Sequence, residues 1–378
     1  MKNEISAYFY PRGAGSFEFQ LPTRIIFGEG MVRRLGGEIK QLGGIRALIV
    51  TSRGMLERQA VKYILADLDR AGITASTYSA APPEPSVDDV DTCLKFANKV
   101  KPDIVIGLGG GSAMDVAKKT AREMAVPKIM IATTAGSGSE VTHNSVLKVD
   151  GRKKSFNDIK LAADVAIVDP DLLMTMSAAG MVSSAMDAMA HAMESYGARK
   201  GNSIVRALAL ESYLLTRDNI GLALSGDVEG RRNIAMGSLM AGMALISTGT
   251  TLGHALAYPL SDRGISHGLS LAIVLPYLMK INRFDAGHAD ELKSFRQKYC
   301  VIPEVRWDIM EMAAEVAADE RHLSNNAREV TLQEIAAVYE AIKDESRNAG
   351  RLPRPGSAPN KNIDLRRETD EQHHEKVP

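Results

Sequence analysis

The sequence has little of several things, and each shortage excludes a class of protein. Cysteine is nearly absent: 378 residues hold only Cys93 and Cys300. Neither a disulfide framework nor a cysteine-ligated zinc site is therefore expected. Reduced thiols fit a cytosolic setting. Aromatic residues make up only 5%, and 46 acidic residues cancel 46 basic ones. With no basic stripe and no stacking surface, nucleic acid is not an expected partner, and no polybasic segment points to an anionic membrane. Long apolar runs are also missing, because Gly, Asp or His interrupts each one before spanning length. The opening MKNEISAYFYPRG lacks the apolar run of a signal peptide. The expectation is a soluble, cytoplasmic protein.

What is present is a chain long enough for two cores. A hydrophobic content of 45% and a charged content of 24% are those of a globular protein. The first half alternates strand-like and helix-like segments. RALIVTS (46–52), ASTYSA (75–80), DIVIGLGG (103–110), KIMIATT (128–134) and VAIVDP (165–170) read as strands. Helices are expected from about Met55 to Arg70, over 86–100 behind Ser86, and from near Ser112. Such alternation means βαβ units and a mostly parallel sheet. After Pro170 the pattern is helical, to about Ile281 and again over 288–347. The expected organisation is an α/β dinucleotide-binding domain over 1–170 and an all-α metal- and substrate-binding domain over 171–350. Residues 351–378 have little to bury and read as a disordered tail. An early strand in FEFQLPTRIIFG (17–28) is a candidate for edge pairing.

Two small-residue loops carry the first chemical signal. GLGGGSAMD (107–115) joins a strongly apolar strand to an amphipathic helix. Glycines there let the backbone approach an anion, and amides at the helix start point toward it. The spacing is not the Rossmann fingerprint, because position 112 is Ser. TTAGSGSE (133–140) follows the next strand. Two such loops at neighbouring strand ends suit a dinucleotide, since ligands bind that edge of open α/β sheets.

A second signal lies in the helical half. Asp187 and His191 are four apart in AMDAMAHAMESY, and His254 and His267 follow in GHALAYPLSDRGISHG. An i,i+4 pair sits on one helix face and can grip one ion. Imidazole and carboxylate together suit Fe(II), Zn(II) or their first-row relatives. His143, His288 and His322 have no matched partners and read as structural or surface residues. His373 and His374 read as solvated residues of the tail.

Together these segments resemble the iron-containing, group III alcohol dehydrogenases. The match is carried by GLGGGSAMDVAK (107–118), TTAGSGSEVT (133–142), ADVAIVDPDL (163–172), the two histidine segments, and NNAREVT (325–331) with Ala327 where the family has Pro. It covers roughly residues 20–345. The resemblance implies a dehydroquinate synthase-like architecture with metal and nicotinamide meeting between the domains. It implies Asp187, His191, His254 and His267 as ligands of Fe(2+) or Zn(2+). It places Gly109, Gly110, Gly111 and Ser112 at the pyrophosphate, Thr133, Thr134 and Ser137 on the nucleotide, and Lys154 near a ribose. Asp115, closing the glycine-rich segment, and Ser52 are counted with the cofactor-binding residues. Homodimers or larger homo-oligomers are implied as well.

Two departures from the family bear on chemistry. Many members carry a second His four residues after the third ligand, where this chain has Tyr258. A phenol titrates near 10 rather than near 6.5, so Tyr258 is either a proton relay of another kind or a pocket residue. NAD-preferring members also carry an Asp after the second strand, where this chain has Ser52 and Arg53. An Asp repels a 2′-phosphate and Ser with Arg accepts it, so NADP(H) is expected to be favoured over NAD(H).

The implied activity is reversible hydride transfer between a small primary alcohol or its aldehyde and a nicotinamide, with the metal polarising the substrate oxygen. A dehydroquinate synthase-like lyase is the alternative, but it needs Lys and Arg around a phosphorylated substrate. SAAGMVSSAMDAMAHAM and GTTLGHALAYPL contain neither. A non-catalytic nucleotide-binding protein is the other alternative.

Overall fold

The computed structural model describes residues 16–349, so the expected tail lies outside the described residues. The N-terminal half is a six-stranded, all-parallel sheet in the order β1-β8-β5-β4-β2-β3. Its elements begin with β1 (Arg24–Phe27), α1 (Leu35–Gln41) and β2 (Arg46–Val50). Next come α2 (Arg53–Leu56), α3 (Gln59–Arg70), β3 (Thr74–Tyr78) and α4 (Val87–Val100). Then follow β4 (Ile104–Gly109), α5 (Gly111–Met124) and β5 (Lys128–Ala132). A separate hairpin, β6 (Asn144–Val149) with β7 (Arg152–Asn157), precedes β8 (Val165–Val168).

Strand alternation explains why helices cover both sheet faces. Ile49, Ile106, Ile129, Ile131 and Ile167 pack on Leu35, Ile39, Val61, Ile64 and Leu68 of α1 and α3. The opposite face, with Leu48, Val50, Val105 and Met130, packs on Val90, Cys93, Met114 and Ala117 of α4 and α5. Burial on both faces is why β4 reads as an unbroken apolar run. Ser86 opens α4 with a capping box, its hydroxyl accepting from Asp89 N–H while Asp89 accepts from Ser86 N–H.

The structure departs from the expected elements in three places. The single helix over 55–70 is two, because Arg58 is extended between α2 and α3. The segment at 17–28 is a strand only from Arg24, and it joins this sheet in parallel beside β8. The β6–β7 hairpin was not expected, although Asp150-Gly151 marks it. Both turn residues have positive φ (52° and 78°), the conformation a two-residue hairpin turn demands.

The second half is helical: α6 (Ala178–Gly197), α7 (Ser203–Leu224), α8 (Val228–Thr248), α9 (Leu252–Asp262) and α10 (His267–Asn282). Four more follow, α11 (Ala289–Gln297), α12 (Ile309–Ala317), α13 (Glu320–Leu323) and α14 (Leu332–Ala349). Helix α6 is central, buried from Ala185 to Gly197 and packed on α7, α8 and α10. A helix apolar all round belongs in a core, so the rare polar groups on α6 are conspicuous. Among the described residues, no single helix is long and apolar enough to cross a membrane.

Candidate metal and nucleotide site

The cleft between the two halves has a volume of about 860 Å³. Its floor is the carboxyl edge of the sheet. The chain leaves β2 outward to β3, then returns past β2 to β4 and β5, so the strand order reverses beside β4, the usual place for a ligand. Ser52 follows β2, Gly109 to Ser112 follow β4, and Thr133 and Thr134 follow β5; all line the cleft, as does Ser137. Gly110 precedes the first residue of α5, so the first amides of that helix face the opening. A Cβ on Gly111 would lie 3.1 Å from that of Ser137. The two small-residue loops therefore touch, and only a bare backbone leaves room beside them.

The loop after β5 also reaches the helical half. Lys118 of α5 donates to the carbonyls of Ser139 (2.8 Å) and Asn144 (2.6 Å), tying loop and hairpin together. Asp115 is turned into this same bracing: one oxygen accepts from Ser139 Oγ at 2.9 Å and the other from Val146 N–H at 3.0 Å. Asp115 also lines the cleft, while its carboxylate braces the loop. At its centre, the Gly136 carbonyl lies 3.1 Å from His191 Nδ1. The segment read from sequence as a nucleotide loop also supports His191 of the helical half.

Helix α6 supplies Asp187 and His191 one turn apart, His254 lies in the first turn of α9, and His267 opens α10. Ligand atoms of Asp187, His191 and His254 lie within 4.8 Å of one another, and the His267 ring centroid is 5.4 Å from that of His254. His191 donates from Nδ1 to the Gly136 carbonyl, and His254 from Nδ1 to Glu194 Oε2 at 2.6 Å. Both Nε2 atoms then carry lone pairs, yet they face each other at 3.1 Å. Two acceptors repel unless a cation or proton lies between them. Asp187 Oδ1 and His267 Nδ1 are also buried without a hydrogen-bond partner. Buried polar atoms left unpaired are costly, and one divalent ion among Asp187, His191 and His254 would satisfy that cluster, with His267 beside it. The donor set fits an Fe(II)- or Zn(II)-type ion.

Glu194 is the residue sequence reading missed. It lies seven positions after Asp187 and three after His191, on the same helix face. Its Oε1 accepts from the N–H groups of Thr251 (2.8 Å) and His254 (3.1 Å), closing the start of α9. Burial alone would raise its carboxyl, but His254 outweighs burial and holds it at about 2. The same contact makes His254 more basic despite burial. A carboxylate behind a histidine fixes its tautomer and strengthens it as a ligand. Gly253 permits this approach, since a Cβ there would meet Glu194 Cδ at 3.0 Å. Burial pushes His191 down, and burial with the flanking His254 and Lys153 pushes His267 well down.

Tyr258 stands among these rings, 6.4 Å from His254, 6.5 Å from His267 and 5.5 Å from His322 by centroids. Burial, then Asp319 and Glu194, hold its phenol far above its ordinary value. His322, read from sequence as a structural or surface residue without matched partners, does have partners. It is buried, lines the cleft and bonds to Asp319 and Thr250. Lys154 is exposed and sits over the Phe156 ring, outside the cleft lining. Strand alternation brings Lys153 to the cleft instead, bonded to Glu84 at 2.7 Å. Arg53 is likewise exposed outside the lining, while Arg58 is within it. Lys148, Lys200 and Arg321 also line the cleft, so its cations come from segments other than the two inspected in the sequence.

Comparison with known proteins agrees with this geometry. Residues 22–170 match the family model for iron-containing alcohol dehydrogenase, and residues 181–299 match the C-terminal model of the Fe-containing alcohol dehydrogenase family. The chain belongs to the iron-containing alcohol dehydrogenase family. Long-chain-alcohol dehydrogenase 1 of Geobacillus thermodenitrificans is 34% identical over 287 residues, 68% of this chain and 73% of that protein. The iron-containing alcohol dehydrogenase of Thermotoga maritima is 30% identical, with a TM-score of 0.79 over 86% of this chain and 99% of that one. Sulfoacetaldehyde reductase of Bifidobacterium kashiwanohense, solved with NAD+, shares the fold at 24% identity and a TM-score of 0.79, over 87% of this chain and 99% of that one. As an iron-containing alcohol dehydrogenase, this protein is an alcohol–aldehyde oxidoreductase that works with a metal and a nicotinamide cofactor. The parallel sheet and helical second half are those of the family's structures.

Proposed function

We propose that the protein interconverts a small primary alcohol and its aldehyde, prefers NADP(H), and holds Fe(II) or Zn(II) through Asp187, His191, His254 and His267. The observation that carries this reading is the pair of Nε2 lone pairs facing each other at 3.1 Å, in the same cleft as the glycine-rich turn. When bound, the ion supplies Lewis acidity toward the substrate oxygen, and the nicotinamide exchanges hydride with the adjacent carbon. The chain's own residues do the placing. Glu194 and the Gly136 carbonyl aim two imidazoles. Gly109 to Ser112 and Thr133 to Ser137 receive the dinucleotide, whose phosphates meet the amides at the start of α5. Tyr258 walls the pocket beside His254 and His267 and helps exclude water.

The cofactor preference rests on charge. The carboxylates lining the cleft are Glu84, Asp115 and Asp187. Glu84 accepts from Lys148 and Lys153, and Asp115 braces the β5 loop. Neither is free to repel a 2′-phosphate near Ser52, Asp187 sits among the histidines, and Arg58 lines the same wall. A homodimer or larger homo-oligomer is part of the proposal, because the outer edge of β1 pairs with no other strand among the described residues. So is a cytoplasmic setting, in keeping with two free, buried cysteines.

The test uses iron- and zinc-loaded protein with a panel of short aldehydes and alcohols, following nicotinamide absorbance. Turnover with kcat/KM higher for NADPH is expected. A clear NADH preference would refute the cofactor assignment, and no turnover with either metal would refute the function. Light scattering reports the oligomer.

A further inference from the structure

Tyr258 stands beside His254 and His267, and a phenol held far above its ordinary value is a poor acid–base group near neutrality. One ring away lies a hydrogen-bonded chain that is better suited. His322 Nδ1 donates to Asp319 Oδ2 at 2.6 Å, and His322 Nε2 lies 3.0 Å from Thr250 Oγ1. With Nδ1 protonated toward the carboxylate, Nε2 accepts the Thr250 hydroxyl proton. This is the nucleophile–base–orienter geometry of general acid–base sites. Thr250 and His322 both line the cleft, and the Asp319 side chain is 24% exposed, so the chain runs from the pocket to solvent.

The chain is built in. Asp319 also accepts from His322 N–H at 3.3 Å, capping α13. Asn325 donates to the Thr248 carbonyl at 2.9 Å, a second tie between the same two segments. Thr251, next to Thr250, donates its N–H to Glu194, which in turn holds His254. The hydroxyl is thus anchored to the segment that carries a metal ligand. The charged and titratable neighbours of His322 are Asp319, Glu320 and Arg321 on its own turn and Tyr258 from α9.

We propose that Thr250 and His322 form the proton relay of this enzyme, oriented by Asp319; this rests on the oxidoreductase reading above. In alcohol oxidation the substrate O–H proton passes to Thr250 Oγ as the Thr250 proton moves to His322 Nε2. The carbinol C–H bond breaks with its electron pair leaving as hydride to oxidised nicotinamide, and the C=O bond forms. The ring, held by Asp319 through Nδ1, then passes its extra proton to solvent. Reduction reverses each step. Thr250 touches the substrate; His322 acts through it.

The experiment measures kcat against pH in both directions for the metal-loaded wild type, His322→Ala and Thr250→Val. Nicotinamide affinity by fluorescence and bound metal are measured alongside. Wild-type oxidation should fall on the acid side and reduction on the alkaline side. Both variants should lose about a hundredfold in kcat, flatten that limb, and keep metal and nicotinamide binding. Added imidazole should restore part of the His322→Ala rate. Should His322→Ala fail to fold, Thr250→Val alone decides, since it removes one hydroxyl. A limb that persists in a folded, active variant overturns the relay alone. A wild type with no turnover overturns the functional reading and the relay with it.

Discussion

At the nucleotide end of the cleft, backbone amides and small side chains face the open volume. At the metal end, four ionisable side chains do, three of them buried. The charged groups at the first end are already engaged: Asp115 and Lys118 brace the β5 loop, and Glu84 takes two lysines. The second end keeps unpaired atoms on Asp187 and His267 and two opposed nitrogens on His191 and His254. The first end spends little on holding its shape because its ligand brings the charge and the protein only needs room. The second must hold four lone-pair donors together against their own repulsion, so it needs a carboxylate and a carbonyl behind them. The Gly136 loop joins the two ends, and that join is where the comparison can be broken.

The largest effect should come from the metal end. His267→Ala removes a proposed ligand whose Nδ1 makes no hydrogen bond, so little else should change. We expect metal-dependent turnover to fall by about a thousandfold or more, several kcal/mol of transition-state stabilisation. Nicotinamide binding should stay within a few fold. Bound-metal analysis beside single-turnover assays checks it, and retained metal-dependent activity would sink the ligand assignment. Next in size is Glu194→Gln. An amide keeps the shape and loses the charge that fixes His254. Metal affinity should weaken by about 10- to 100-fold, read by competition with a chelator. An unchanged affinity would make Glu194 a helix cap only.

The legibility of these parts follows from how far apart their causes lie in the chain. Asp187 and His191 announced themselves by helical spacing, and the glycine-rich turn by its place between an apolar strand and a helix. Glu194 was equally legible by spacing but passes for an ordinary helix carboxylate until His254 is seen against it. The hairpin had its Asp150-Gly151 mark, short of the alternation that would have drawn attention to it. His322 and the Gly136 carbonyl had no sequence signal. Their partners lie 72 and 55 residues away, and nothing local requires the contact. Arg53 and Lys154 lie just outside the cleft lining: a helix break brings Arg58 to the cleft, and strand alternation brings Lys153.

The nucleotide end should be breakable by volume alone. Gly111→Ala places a methyl 3.1 Å from Ser137, in the floor where the two loops meet. Overpacking of this kind costs about 1–3 kcal/mol, so NADP(H) affinity should weaken by about tenfold or more. Metal content should not move, because the helical ligands are untouched. Calorimetric titration of the cofactor into metal-loaded protein separates the two. A parallel loss of metal would show that strain at Gly111 travels through Ser137 to the Gly136 carbonyl, and that the two ends are one mechanical unit.

The smallest effect concerns selectivity. The loops that follow β5, β4 and β2 line up along the sheet edge, which puts Ser52 and Arg58 at the end away from the metal. Ser52 caps α2 through its hydroxyl, accepting from Met55 N–H at 3.3 Å. Ser52→Asp keeps a capping acceptor and adds the charge that a 2′-phosphate would meet. Arg58→Ala removes a cation from the same wall. Partly exposed charges are worth about 1 kcal/mol at most, so each change should shift the ratio of kcat/KM for NADPH over NADH by about fivefold toward NADH. High salt should shrink the shift, since screening acts on exposed charges more than on buried ones. A change in kcat with both cofactors equally would instead mean that α2 had moved, because a charge at this distance from the reacting carbon acts on binding and leaves the chemical step alone.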